Sequence, residues 1–570
     1  MPYLRLPGSP QAEPGAVVAK AVASRTRIHR GPRRVSMKKP FPKGWAHGAI
    51  ATLALFMVLG PLYMEATVSP LRSYDEGAVL TSAFRMVGGE VRLRDFEPWY
   101  GPAESGILYL LSDSRGPELL HLRLLRYGGF ALAAFFGTLG AARMGGAVAS
   151  ALAATVVVSF ATPLTSPAFS LALTSVVLAD LANDRCAHSR LFLFAAGLTA
   201  GLALLFRLSF GALGCIAALT VISSERVRSD GASPLRERLS RAAVFAAGLA
   251  PGVITLGGLV TSGSAHIGWA LNYETLAAYR NLPFPIPAPA GTQLLTAIET
   301  LVWAGLPLLV LLVSSVVLLV QFRKRTSFSL ADNRRLGLQV GLTLLLLGLV
   351  PYALFRPDLV HFYPALVVSG CLGAGLLGRL GSLVPNRLRA PLSVCILLAL
   401  GAVSASHLRE AWEIRRSPDR VESALDPLRG LVVDRKLEAY YSEASQLVRS
   451  LTQPEDTLFV GSLDHRRILM NDPLLYAISG RRPATRHTCF EPGKTTTEAK
   501  QREMIKDLMA SKPPVVFLVP SWRPEPNRSR EFGSNLLDRF LQRSYQLHRR
   551  VGPSLLMVRR EDPGTRSGSR

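Results

Sequence analysis

The chain has few cysteines for its size, five in 570 residues. Cys186, Cys215, Cys371 and Cys395 lie in or beside apolar segments, and Cys489 stands alone near the end. No CxxC or Cys/His spacing occurs, which leaves no zinc site and no disulfide framework to build on. Residues 408–570 also lack a glycine-rich phosphate loop and a Ser-His-Asp-type motif. The long apolar runs contain almost no ionisable side chains in their interiors. A pump or secondary transporter carries such charges near mid-membrane, so their absence argues against ion-coupled transport.

Apolar runs of membrane-spanning length are abundant. Hydrophobic residues make up 49% of the chain, and the mean hydropathy is +0.25. A bilayer core takes about 20 apolar residues per helix. Runs at 47–66, 124–142, 146–162, 164–182, 191–206, 208–223, 242–262, 297–320, 336–354, 361–380 and 391–407 fit, some of them short. They predict an α-helical polytopic membrane protein with about eleven spans.

The net charge of +25 does not point to nucleic acid, because the basic residues form no single patch interleaved with aromatics. They gather in the arm 1–46 and in short loops. These loops are Arg143, Asn183–Arg190, Glu225–Arg241, Phe322–Arg335 and Asn386–Arg389. The alternate loops, Ala161–Thr165, 263–296 and Phe355–Val360, are poor in positive charge. The positive-inside rule then predicts a cytoplasmic N-terminus and a C-terminus on the outer face. Asp180 falls near an inner helix end. No cleavable signal is evident, so the first apolar run is expected to remain as an anchor. Met37, followed by Lys38 and Lys39, is a possible translation start.

Three parts follow: a disordered basic arm (1–46), a membrane body (47–407) with a long first outer loop (67–120), and an outer α/β domain (408–570). In the last part, strand-like runs appear at Thr457–Gly461 and Val515–Val519. Helical patterns appear at Thr497–Met509 and Asn535–Arg543, before a closing hairpin. His465 reads as a surface residue. The Pro-rich stretch Leu271–Ala290 reads as a structured connection or an entrance for a lipid tail.

Chemistry concentrates in the first outer loop. Asp75 and Glu76 are adjacent carboxylates near a membrane surface, alternatively a helix cap. Ala78 to Val87 is amphipathic, with apolar residues spaced to lie on that surface. After Gly88-Gly89 come Asp95 and the aromatic turn Trp99-Tyr100-Gly101-Pro102, then Ile107–Leu111. Two interfacial helices joined by a turn are expected. Arg207, and Arg356 with His361, sit at outer span ends, where they could hold an anionic group. The alternatives are a snorkelling arginine and a polar turn at Pro357. Asp358 is expected to pair with Arg356.

The run Asp75-Glu76, Ala83-Phe84-Arg85-Met86-Val87-Gly88-Gly89-Glu90, Arg94-Asp95-Phe96 and Tyr100-Gly101-Pro102 resembles the C-type glycosyltransferases (GT-C). These polytopic enzymes use polyprenyl-phosphate sugars. The nearest resemblance is to the bacterial branch related to protein O-mannosyltransferases and lipid A aminoarabinose transferases. It is close over 67–125 and looser over the body. Tyr100-Gly101-Pro102 stands where that branch commonly has a Pro-Pro motif.

The resemblance implies a GT-C fold and an inverting transfer at the periplasmic face of a bacterial inner membrane. The sugar would pass from a polyprenyl phosphate to a hydroxyl on an envelope glycan, lipid or protein. Asp75 would be the catalytic base and Glu76 its catalytic neighbour. Asp95, Tyr100, Arg207, Arg356 and His361 would bind substrate. No metal-ligating cluster or cofactor motif appears, and the branch leaves divalent-metal use open. The competing readings are a flippase for lipid-linked glycans and a membrane scaffold. Asp75→Asn separates these, since only the enzyme should lose transfer while still folding.

Overall fold

The structure is a computed structural model. It describes residues 44–92, 94–97, 100–159, 166–184, 188–224, 234–262, 294–323, 330–355, 359–380, 385–466, 471–490, 495–520 and 533–560. Arg356, Pro357, Asp358, Trp99, Cys186, most of the basic arm and the stretch Leu271–Ala290 lie outside the described residues.

Within the described residues, each apolar segment is helical. The elements are α1 (Gly44–Val68), α2 (Asp75–Val87), α3 (Pro102–Leu111), α4 (Leu119–Gly145), α5 (Ala147–Ser159), α6 (Ala168–Leu181), α7 (Ser189–Phe206) and α8 (Leu208–Ser223). They continue with α9 (Pro234–Ser262), α10 (Leu294–Arg323), α11 (Leu330–Phe355), α12 (Leu359–Leu380) and α13 (Asn386–Arg416). Among the described residues, 7 helices are long and apolar enough to cross a membrane: α4, α7, and α9 to α13. Helices α6 and α8 are shorter and apolar. Leu309, Leu312 and Leu319 of α10, Ile254 of α9 and Leu398 of α13 are exposed. Water would not tolerate so much contiguous apolar surface; lipid would cover it.

The two ends of the bundle differ in chemistry. At one end Arg143 pairs with Asp180 and with Asp184, 2.8 Å away. Arg334 reaches Asp184 at 3.2 Å, and Arg241 meets Asn183. The opposite ends of α7, α8, α11 and α12 carry Arg207, Tyr352 and His361.

The chain then forms β1 (Arg420–Glu422), β2 (Val432–Asp434), α14 (Arg435–Ser450), β3 (Thr457–Ser462), α15 (Leu474–Ser479), β4 (Arg482–Pro483), α16 (Glu498–Ser511), β5 (Val515–Val519), α17 (Leu536–Ser544), β6 (Tyr545–Val551) and β7 (Ser554–Arg559). The main sheet runs β4-β3-β5-β7-β6. Strands β3, β4 and β5 are parallel, with Val460 opposite Phe517, and the β6–β7 hairpin joins antiparallel to β5. Strand β5 is buried along its whole length, as a central strand covered on both faces must be.

Two findings differ from the sequence reading. The apolar face of α2 does not lie open to a membrane surface. Val79, Leu80 and Ala83 share one core with Leu108, Leu119, Leu122, Tyr441, Leu474 and Val460. Gly77 allows this, because a Cβ there would lie 2.6 Å from the Leu474 backbone nitrogen. Amphipathic spacing marks a face to be covered and does not say by what. His465 is buried at 3% exposure. Its Nδ1 lies 2.7 Å from Asp538, and its Nε2 accepts the Ser462 N–H at 3.2 Å. Both ring nitrogens are satisfied within the fold, which lets a polar ring sit in the core.

Candidate functional site

Helix α2 begins at Asp75, so the two carboxylates occupy its first turn, where the helix dipole favours negative charge. Consecutive helical residues point about 100° apart, and here they meet different surroundings. Glu76 points inward, with a side-chain exposure of 1%. Arg123 of α4 grips it bidentately, Nε to Oε1 at 2.7 Å and Nη2 to Oε2 at 2.9 Å. The Arg72 N–H adds a third bond at 2.9 Å. Arg123 also donates to the carbonyls of Ala66, Ser69 and Pro70. Burial pushes the Glu76 carboxyl upward in pKa, but the Arg123 charge and its hydrogen bonds outweigh this and hold it below the usual value. Glu76 is therefore an ionised anchor tying the loop to α4.

Asp75 is half-buried. Its Oδ1 accepts from the Tyr100 hydroxyl at 2.5 Å. Burial, then the Asp75 charge, raises the Tyr100 phenol well above its ordinary value. Tyr100 thus stays protonated and serves as a donor. Arg92 holds the Tyr100 carbonyl and the Ser105 hydroxyl. Full burial lowers the Arg92 guanidinium to about 9, which leaves it charged at neutral pH.

The turn after Tyr100 reaches the bundle. A Cβ on Gly101 would lie 2.1 Å from the Phe206 carbonyl oxygen, so only glycine permits that approach. Arg207 follows Phe206 directly, in extended backbone (φ −159°, ψ 114°) between α7 and α8. Its Nη1 donates to the Tyr352 hydroxyl at 2.9 Å. Its guanidinium stacks 4.6 Å over the Tyr352 ring and 5.2 Å over Phe210. His361 lies against the same tyrosine, with ring centroids 5.1 Å apart. Asp75, Tyr100, Arg207 and His361 thus form one chain of neighbours, linked through Gly101 and Tyr352.

Asp95 lies elsewhere. It accepts from Arg94 Nη2 at 2.8 Å and from the Val91 N–H at 2.7 Å. Those two bonds, Arg94 first, lower it to about 2. It closes the small turn after Gly89, whose φ of +83° ends α2. Arg356 is outside the described residues.

Several contributors carried little sequence signal. Arg123 and Arg126 are three apart at the start of α4, a spacing that puts them on one face; two arginines opening an apolar helix hint at buried carboxylates. Arg126 meets Glu104 at 2.9 Å, with both side chains no more than 4% exposed. Tyr352 has no motif. The tail segment Thr485–Phe490, which packs on the loop, could not be placed without the tertiary fold. Among the described residues no group of three or more His, Cys, Asp or Glu could hold a metal ion.

No protein-family model matches the chain, and no curated protein matches it by sequence. Solved structures do match in trace. The chain is similar to ArnT from Cupriavidus metallidurans bound to undecaprenyl phosphate, with TM-score 0.48, 15% identity, and 91% of this chain and 98% of that one covered. It is also similar to the apo oligosaccharyltransferase of Archaeoglobus fulgidus, with TM-score 0.42, 12% identity, and 84% and 70% covered. The oligosaccharyltransferase AglB of the same organism, in complex with an inhibitory peptide and a dolichol-phosphate, gives TM-score 0.41 and 11% identity, with 84% and 69% covered.

Proposed function

We propose that this chain is a membrane glycosyltransferase of the GT-C type. It moves a sugar from a polyprenyl-phosphate donor to a hydroxyl of an envelope glycan, lipid or protein, at the periplasmic face of a bacterial inner membrane. The observation that carries this reading is the Tyr100–Asp75 hydrogen bond of 2.5 Å, on a turn that abuts the residue before Arg207.

Asp75 is the base. It takes the proton of the acceptor hydroxyl as that oxygen bonds to the anomeric carbon. The bond from that carbon to the phosphate oxygen breaks, and its electron pair leaves with polyprenyl phosphate. Single displacement inverts the anomeric centre. Arg207 faces the charge that develops on the leaving phosphate, and a guanidinium suits phosphate oxygens because it is always charged and forked. Tyr352 holds Arg207 in place, and His361, packed on the same tyrosine, faces the phosphate beside it. Glu76 positions the start of α2 through Arg123 and does not touch the reacting atoms. Arg356 belongs to the same outer group by sequence, and Asp95 closes the turn at Val91–Asp95 that follows α2.

Support for a base separate from its anchor comes from the contrast between Asp75 and Glu76. Mass spectrometry of envelope glycans and glycolipids from a deletion strain tests the reading. One sugar substituent should disappear, and its identity names donor and acceptor together. An unchanged envelope profile contradicts it.

A further inference from the structure

Beside the α15 contact with the apolar face of α2, the tail meets the first loop along a second, polar segment, Thr485 to Phe490. Arg85 Nη1 donates to the Thr485 carbonyl at 2.9 Å. The Glu97 N–H donates to the Arg486 carbonyl at 3.2 Å. Cys489 packs with Tyr74 and Ala78, and Tyr100 packs against them. The Tyr74 hydroxyl donates to the Phe490 carbonyl at 3.0 Å. Tyr74 precedes Asp75 in the chain and Tyr100 holds its carboxylate, so this segment braces both neighbours of the proposed base.

His487 is in the middle of the segment and is 3% exposed. Two carboxylates from different parts of the chain face it. Glu97 of the loop lies 3.1 Å from Nδ1, and Glu503 of α16 lies 3.3 Å from Nε2. The second contact is an ion pair without hydrogen-bond alignment. The surrounding charges complete the picture. Lys500 sits 3.2 Å and Arg486 3.5 Å from Glu503. Asp507 accepts the Arg486 N–H, and the Arg94 carbonyl accepts from Arg486 Nη2. A neutral imidazole offers one N–H, whereas the imidazolium offers two.

We propose that His487 is a positioning residue: as an imidazolium between Glu97 and Glu503, it docks segment Thr485–Phe490 on the first loop and so keeps Tyr100 on Asp75. Its effect on catalysis rests on the transferase reading; the docking itself does not. Burial pulls the His487 pKa down, but the facing carboxylates of Glu503 and Glu97 outweigh it and raise the group above its ordinary 6.5. A raised folded-state value stabilises docking fully below the unfolded pKa. That contribution is lost as pH rises through the folded value.

Hydrogen exchange of the full chain in detergent micelles tests this, on the peptide containing Glu97, from about pH 5.5 to about pH 8.5 with intrinsic rates corrected. The Glu97 N–H is itself part of the dock. Wild-type protection should fall with rising pH, by at most about tenfold per pH unit for one coupled proton. His487→Gln, and independently the loop-side Glu97→Gln, should remove the pH dependence and show weak protection throughout. Protection that is pH-independent in the wild type, or full in both variants at about pH 5.5, overturns the proposal. In transfer assays His487→Gln should lower kcat on the order of tenfold with KM nearly unchanged. A raised KM with unchanged kcat also overturns it. Exchange behaviour as expected, with no transfer by the wild type, supports the dock and overturns the transferase reading instead.

Discussion

At the residue scale, Asp75 and Glu76 share a helix turn but not a role. Glu76 and Arg123 are both 1% exposed. Removing one member of such a pair strands the other's charge in a dry interior, typically costing about 3–5 kcal/mol. Glu76→Gln should therefore lower the unfolding midpoint in detergent markedly, and Glu76→Gln with Arg123→Met should recover much of that loss. Full stability of the single variant would show that Arg123 finds other partners. Tyr100 gives the opposite expectation. Its hydroxyl touches Asp75 at 2.5 Å, and its ring packs beside Tyr74 and Cys489. Tyr100→Phe keeps the ring and removes one hydrogen bond. Folding should be unchanged, while transfer per enzyme falls on the order of 10- to 100-fold through misplacement of the base. Wild-type transfer by Tyr100→Phe would remove that residue from the site.

At the scale of elements, helix α2 is the piece that everything else holds. Arg123 of α4 holds its start, α15 covers its apolar face, and the turn at Gly101 presses on the end of α7. These contacts depend on two glycines without side chains. A Cβ at Gly101 would meet the Phe206 and Leu205 carbonyls at 2.1 Å and 2.5 Å. Backbone atoms cannot swing away as a flexible side chain can. Gly101→Ala should therefore push the turn off α7, separate Tyr100 from Arg207 and abolish transfer, with the helical content by circular dichroism nearly intact. Unimpaired transfer would mean that α7 and the turn are not in register as described. The helices were legible in sequence because their apolar runs are long and their flanks polar. Strands β3 and β5 were legible because each is a short apolar run between turns. Burial of α2 under the tail was not, since a hydrophobic stripe has the same spacing whether lipid or protein covers it. His465 was misread for a similar reason: its partner Asp538 is 73 positions away, and no local pattern announces such a pair.

For the whole molecule, the tail shares a core with the first loop. Val79, Leu80, Ala83, Leu108, Leu119 and Leu122 are packed with Leu428, Tyr441, Leu474 and Val515 in one cluster. Each large apolar side chain buried there contributes about 1.5–3 kcal/mol. Deleting 417–570 would expose that face. The remaining chain should aggregate on size-exclusion chromatography in detergent and show no transfer. A monodisperse and active truncated chain would contradict a shared core. That Asp75, Tyr100, Arg207 and His361 would be neighbours was legible because charge pattern and the loop motif pointed to the same end of the spans. Tyr352 and Thr485–Phe490 were not, because their contribution arises only where distant segments meet. Above all, Asp75 is proposed to act as the base of a sugar transfer. The most direct test is to complement a deletion strain with wild type or Asp75→Asn, at matched membrane abundance, and measure the envelope sugar by mass spectrometry. The wild type should restore it, and Asp75→Asn should fall by about 10²-fold or more, the usual contribution of a general base. Full restoration by Asp75→Asn would contradict the mechanism.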